Sequence, residues 1–375
     1  MELTQMLQEM VERRASDLHL KVGRPPGYRI NGDLIFGGDE ALLLEDTVAL
    51  YRQALDENQR EAFERDHEVD FALSMPGLGR FRGNVFLQRG SISMVFRHIP
   101  TTVPQLEDLQ LPDVIQRLAM APRGLVLVTG MTGSGKSTTM AAMVRRILDT
   151  KPVSVMTVED PAEFLHADST GMVTQREVGS DTLSFASALK HVLRQDPDVL
   201  VIGEIRDAAT MRVALTAADT GHLVLSTLHT TDALQTVNRM LSLFPPDQHS
   251  EIRHLLSHNL EGIVGLRLIP TKDGTGRVPA CEVLVGCATT REYLQDPKKM
   301  GSIRDFMAEG ATVYGTCTFD MSLLALVQLG KIRLEEALAN ATYPDEIRLK
   351  MAGIEGSENL LDTWIPREGE SHVSV

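Results

Sequence analysis

The chain has 375 residues, 43% hydrophobic and 23% charged, which leaves room for two or three domains and excludes wholesale disorder. Lys and Arg number 37 against 51 Asp and Glu, a net charge of −14, opposite in sign to that of a dedicated nucleic-acid binder or a standing polybasic membrane anchor. No run reaches the roughly 18 apolar residues that span a bilayer, and the first residues lack a basic-then-apolar signal pattern. Cys281, Cys287 and Cys317 suit neither a disulfide framework nor a four-thiolate zinc site, so a cytoplasmic location is expected.

Residues 1–99 read as a small α+β domain. Leu3, Met6, Leu7, Met10 and Val11 fall on one helical stripe. Leu18, Leu20 and Val22 alternate as in a half-buried strand, and Asn31-Gly32 is a hairpin turn between alternating segments. A charged helical stretch covers Glu45 to Arg65. Strand patterns resume at Val69, Phe71 and Leu73 and after Gly79 and Gly90, giving helices against an antiparallel sheet. Residues 100–122, bounded by prolines and holding a short helix from Val114 to Met120, read as an interdomain connector.

From residue 123 the grammar changes. Leu125–Val128, Val153–Val158, Val199–Ile202 and Leu223–Leu225 are apolar runs without alternation, separated by helical stretches, the pattern of a parallel sheet covered on both faces. The pattern is mainly helical from Pro245, apart from a hairpin around residues 272–276, and a polar tail is expected at 352–375.

Gly130-Met-Thr-Gly-Ser-Gly-Lys136-Ser137 fits the phosphate-loop pattern GxxxxGK[ST], which arises by chance in a chain this long about once in a hundred times. A buried strand leads in and a helix leads out, as the motif requires. Backbone amides from Gly130 through Thr138, with Thr132, Gly133, Ser134 and Gly135 between, can face phosphate oxygens at a helix N-terminus. Lys136 would reach the β and γ phosphates and Ser137 would ligate Mg²⁺.

Two strands run into carboxylates. Val153–Val158 precedes Glu159, Asp160 and Glu163, with Pro161 breaking the strand; Val199–Ile202 precedes Glu204, at a Walker-B-like position. Acids at strand ends often cap the next helix. Behind a phosphate loop, at the carboxyl edge of the sheet, they also suit an orienting base and a metal ligand. His222 and His229 bracket Leu223–Leu225 and could bond to phosphate or to Glu204. Arg80, Arg82, Arg89 and Arg97 lie in strand-like segments, either as solvated strand faces or as arginine fingers supplied from another domain or subunit.

Together these segments resemble the secretion and pilus ATPase superfamily, and within it the type IV pilus retraction ATPases. GMTGSGKST (130–138), VEDPAEF (158–164), QDPDVLVIGEIRD (195–207) and TGHLVLSTLHT (220–230) are similar to that family's Walker A, Asp, Walker B and His boxes. SDLHLKVGRPPGYRINGDL (16–34) and GRFRGNVF (79–86) resemble its PAS-like N-terminal domain, and residues 270–277 and 317–341 its C-terminal region. SIRDFM (302–307) is set against the PilT-type AIRNLI motif that follows the hairpin, and the last helix, 337–351, is closer to the PilU branch.

The resemblance implies a PAS-like domain followed by a RecA-like ATPase domain, assembled as a homohexamer that binds ATP and Mg²⁺ and retracts a pilus. It implies that Glu163 polarises the attacking water, that Glu204 supports Mg²⁺, that His229 is catalytic and His222 binds nucleotide, and that Arg82 and Arg97 give charge to the phosphates. It implies as partners an inner-membrane platform protein and a paralogous retraction ATPase, with no nucleic acid, at the cytoplasmic face of the pilus base. The competing readings are a RecA-like DNA translocase or helicase, which the acidic balance disfavours, a P-loop small-molecule kinase, and a nucleotide-regulated accessory subunit with weak turnover.

Overall fold

The computed structural model describes residues 2–30, 32–99, 102–274 and 276–353. The Asn31 half of the expected hairpin turn lies outside these residues, as does the tail from 354 onward. The chain forms two units: residues 1–102 with 163–165, and residues 103–162 with 166–375.

The first unit holds α1 (Leu3–Glu12), β1 (Asp17–Lys21), β2 (Gly27–Ile30), β3 (Asp33–Phe36), α2 (Leu44–Ala54), α3 (Glu57–Asp66), β4 (Glu68–Met75), β5 (Gly79–Gln88) and β6 (Ser91–Ile99). The charged stretch expected as one helix is two, because Asp56 caps α3 by accepting the Gln59 amide. The strands make one antiparallel sheet in the order β3-β2-β1-β6-β5-β4. Period-two alternation decides its faces. Leu18, Leu20, Tyr28, Phe81, Met94 and Phe96 join Leu3, Leu7 and Met10 of α1 and Leu50 of α2 in a dry core. Gly83 permits this packing, since a Cβ there would lie 2.1 Å from the Phe71 ring. The opposite face carries Asp17, Arg82 and Arg97 in register across β1, β6 and β5.

The second unit begins earlier than expected. Residues 103–122 do not run free as a connector. Leu106, Leu111 and the Val114, Ile115 and Leu118 face of α4 (Asp113–Ala119) are buried in its core. The order is then β7 (Gly124–Thr129), α5 (Lys136–Thr150), β8 (Ser154–Glu159), β9 (Met172–Glu177), α6 (Phe185–Val192), β10 (Val199–Ile202), α7 (Ala208–Asp219), β11 (Leu223–Leu228), α8 (Ala233–Ser242) and α9 (His249–Asn259). After these come β12 (Leu260–Pro270), β13 (Arg277–Val285), α10 (Ala288–Gln295), α11 (Ile303–Glu309), α12 (Ala311–Tyr314), α13 (Phe319–Gln328), α14 (Leu334–Asn340) and α15 (Pro344–Met351).

The sheet order is β13-β12-β7-β11-β10-β8-β9, with every pair parallel except β12–β13. Alternate residues of each central strand enter different cores. Leu125, Leu127, Leu200 and Val224 face α6 to α9, while Val126, Val128, Val201 and Leu225 face α4 and α5, as strands covered on both faces require. The hairpin β12–β13 extends this sheet instead of standing apart, with β12 beside β7. The first helix after it is α10, with Arg291. The stretch 302–307 set against the AIRNLI motif falls one helix later, on α11, where Arg304 bonds Asp320 and Glu346, each at 3.1 Å, and stacks on Tyr343.

Candidate nucleotide site

Four neighbouring parallel strands, β7, β11, β10 and β8, release their carboxyl ends at one sheet edge. From β7 comes the loop 130–135. Gly130, Gly133 and Gly135 hold φ of 142°, 78° and 96°, a region where a side chain strains the backbone. At Gly130 space is also decisive, since a Cβ would sit 2.4 Å from Ser134 Oγ and 2.6 Å from the Leu266 carbonyl. The Ser134 amide donates to the Met131 carbonyl at 3.1 Å, closing the loop so that α5 starts at Lys136. No side chain caps α5, so the amides of its first turn remain available to an anion. Ser134 Oγ is buried with no protein partner, a polar atom suited to a phosphate oxygen. Thr132 is exposed, and Ser137 and Thr138 are half-buried on the first turn.

Lys136 is 7% exposed. Its ammonium donates to the carbonyls of Gly130 at 2.8 Å and Met131 at 3.0 Å and lies 3.5 Å from Nδ1 of His229. His229, just beyond β11, places Nε2 3.3 Å from Glu204 Oε1. Glu204, just beyond β10, accepts from Arg206 Nε at 2.8 Å through Oε2, and Arg206 lies 3.8 Å from Asp160, beyond β8. The hydrogen bond from Arg206 to Glu204, then their charge pairing, holds the guanidinium above its usual pKa. Lys136, His229, Glu204, Arg206 and Asp160 therefore form one polar chain across the ends of four strands. Two hydroxyls of β11 fix its register. Ser226 donates to the Ile202 carbonyl and Thr227 to the Gly203 carbonyl, both at 2.7 Å.

Other expected residues lie elsewhere. His222 precedes β11 and sits at the amino edge of the sheet, where its carbonyl accepts the Gly124 amide. Six residues of strand separate it from His229, roughly 20 Å. Its Nδ1 faces Thr220 Oγ1 at 3.1 Å and the Ala217 carbonyl at 3.0 Å. That is a contact closing the end of α7 and corrects the expectation that His222 holds nucleotide. A strand run read from sequence gives two flanking histidines, but only one flank is the carboxyl edge. Glu163 groups with the first unit; it is exposed and makes no hydrogen bond or ion pair among the described residues. Arg82 and Arg97 stand directly opposite each other on β5 and β6. Asp17 accepts from Arg97 at 2.8 Å, and Asp70 lies 3.8 Å from Arg82, offsetting the repulsion of paired like charges. Arg206, quoted in the sequence without a role, is the residue that ties Glu204 to the Asp160 loop.

This edge of loop amides, lysine, carboxylate and histidine is that of a P-loop nucleotide hydrolase. The chain matches the family described as Type II/IV secretion system protein over residues 93–341, and it belongs to that family. It is 42% identical to the type IV pilus retraction ATPase PilT of Pseudomonas aeruginosa, over 92% of this chain and 99% of that one. It is 40% identical to the type IV pilus ATPase PilU of the same organism, over 93% and 91%. The two identities do not separate the PilT and PilU branches. The crystal structure of the pilus retraction motor PilT with bound ADP superposes with a TM-score of 0.86 at 41% identity, covering 92% of this chain and 98% of that one.

Proposed function

We propose that this protein is a motor ATPase whose ATP hydrolysis drives type IV pilus retraction. The observation that carries the chemistry is the polar chain from Lys136 through His229 to Glu204 beside an uncapped helix N-terminus. Kinship with PilT and PilU carries the biological role. In this reading the amides of residues 130–138 and the Lys136 ammonium hold the phosphates. The Ser137 hydroxyl and Glu204 carboxylate are hard oxygen donors that suit Mg²⁺, which would neutralise charge on the phosphates when bound. Glu163, which is exposed, orients the attacking water. His229 senses the transferred phosphoryl group and links it to Glu204. Arg82 and Arg97 supply mobile positive charge, so hydrolysis and domain movement are coupled.

The assembly proposed is a homohexamer at the cytoplasmic face of the pilus base, acting on an inner-membrane platform protein and alongside a paralogous retraction ATPase. No helix among the described residues is long and apolar enough to cross a membrane. The test is steady-state phosphate release. Lys136→Ala is expected to fall below about 1% of the wild-type rate, because the charge on the β and γ phosphates is gone. Glu163→Gln is expected to keep ADP affinity while losing single-turnover hydrolysis. If affinity and rate fall together in Glu163→Gln, the water-orienting role passes to Glu204. A Lys136→Ala rate within a few-fold of wild type defeats the assignment.

A further inference from the structure

The turn that delivers His229 to the site is held from behind by a buried carboxylate. Between His229 and α8 the chain is locked by short contacts. Thr230 and Thr236 share a hydroxyl hydrogen bond at 2.7 Å, Thr236 also donates to the Asp232 carbonyl at 2.7 Å, and Asp232 caps α8 by accepting the Gln235 amide at 2.7 Å. One bond comes from another element. The amide of Ala233, the first residue of α8, donates to Glu282 Oε1 at 2.6 Å. Glu282 stands on β13 and is 7% exposed. A carboxylate at a helix N-terminus gains from the helix dipole, yet burial opposes its charge. Nothing in the retraction chemistry above uses this residue.

We propose that Glu282 is a positioning residue for ATP turnover: its ionised carboxylate anchors the Ala233 amide and so fixes the His229–Asp232 turn with His229 between Lys136 and Glu204. This rests on the ATPase reading of that edge. The consequence is a dependence of turnover on pH. Every charged or titratable neighbour bears on it: Asp232 from α8 and Asp320 from α13 oppose the charge, Arg267 from β12 favours it, and the thiols of Cys281 and Cys317 are themselves pushed up by burial. Burial is the largest influence on Glu282, the Ala233 amide opposes it, and the carboxyl titrates at about 7. Below that pH the neutral carboxyl accepts the amide more weakly and the turn loosens.

Two substitutions separate this from a merely structural role. Glu282→Gln keeps the size and an acceptor oxygen but never ionises. Ala233→Pro deletes the donor, and adds ring carbons at a buried position. Proline is well tolerated at the first helical position, and Asp232 before it already has the extended backbone, φ −156° and ψ 170°, that a following proline demands. Steady-state phosphate release by the full-length protein is measured from pH 5.5 to 8.5, with fluorescent ADP binding and thermal melting at each pH. Wild-type kcat is expected to rise through pH 7. Each variant should lose that inflection and fall about tenfold at pH 8 from a displaced catalytic group, with ADP affinity within two-fold, and the double variant should be no worse than either single one. Absence of wild-type turnover would sink the ATPase reading itself. An active wild type with variants that retain both the inflection near 7 and the rate at pH 8 overturns the role of Glu282. A fall in ADP affinity matching the fall in kcat overturns it as well, since that marks general damage to the loop.

Discussion

Lys136 is buried among carbonyls, where Gly130 and Met131 accept from the ammonium that burial would otherwise penalise. The same residue scale shows why His229 is more than a strand-end histidine: it is the single side chain within reach of both the loop lysine and Glu204 among the described contacts. His229→Ala is expected to lower kcat about 10- to 100-fold with little change in ADP affinity, measured by phosphate release and fluorescent ADP titration. Glu282 adds a prediction about stability. Its folded pKa is raised, so the folded protein holds that proton more tightly than the unfolded chain. The contribution is fully present below the ordinary carboxyl pKa and is lost as pH rises through about 7. Glu282→Gln should therefore gain stability over wild type between pH 5 and pH 8, by about 2–3 kcal/mol at most. Paired urea melts at the two pH values read it. No change in the gap would mean that Glu282 is solvated when ionised.

At the scale of elements, function follows from parallel strands. β7, β11, β10 and β8 pair in parallel, so each ends at the same edge, and each end is followed by a chemistry-bearing loop. The helices between them bury the strands from both sides and force the loops outward. The phosphate loop has the least tolerance. Gly130→Ala would bring its methyl within 2.6 Å of both Ser134 Oγ and the Leu266 carbonyl at a φ of 142°. The Leu266 atom is backbone on β12 and cannot swing away. A destabilisation of about 2–4 kcal/mol with loss of ADP binding is expected, whereas Gly133→Ala, with open space around it, should cost less. Urea melts of the two variants check the order; equal losses would contradict the packing argument.

At the scale of the molecule, the boundary between units falls at residues 102–103, not after the proline-bounded segment. Leu106, Leu111, Val114, Ile115 and Leu118 are buried with β7 and α5. Deleting them removes about 7–15 kcal/mol of apolar burial, comparable to the whole stability of a domain. A truncation starting at Val103 should melt cooperatively and bind ADP, while one starting at Arg123 should not fold. Circular dichroism melts decide between them. A cooperative melt from the shorter chain would restore the connector reading. The Val103 truncation also lacks Arg82 and Arg97, so its turnover is expected to fall by orders of magnitude while ADP affinity holds.

The sequence by itself determined the elements whose chemistry is local. The phosphate loop is spelled by residue types that only a tight, amide-presenting turn needs. The buried parallel strands announce themselves as apolar runs without alternation, and the N-terminal sheet as alternation with glycine turns. Those patterns express backbone geometry within a few residues, so they survive without a fold. Tertiary structure decided whatever depends on which end of a strand meets which neighbour. His222 and His229 look equivalent in sequence, and only the parallel direction of β11 sends one to the site and the other to the opposite edge. Residues 103–122 look like a linker because prolines punctuate them, yet their apolar face is covered by a core that no local pattern reveals. Glu282 is an unremarked acid in an apolar strand, and its meaning comes from α8, whose first amide reaches it across 49 residues of chain.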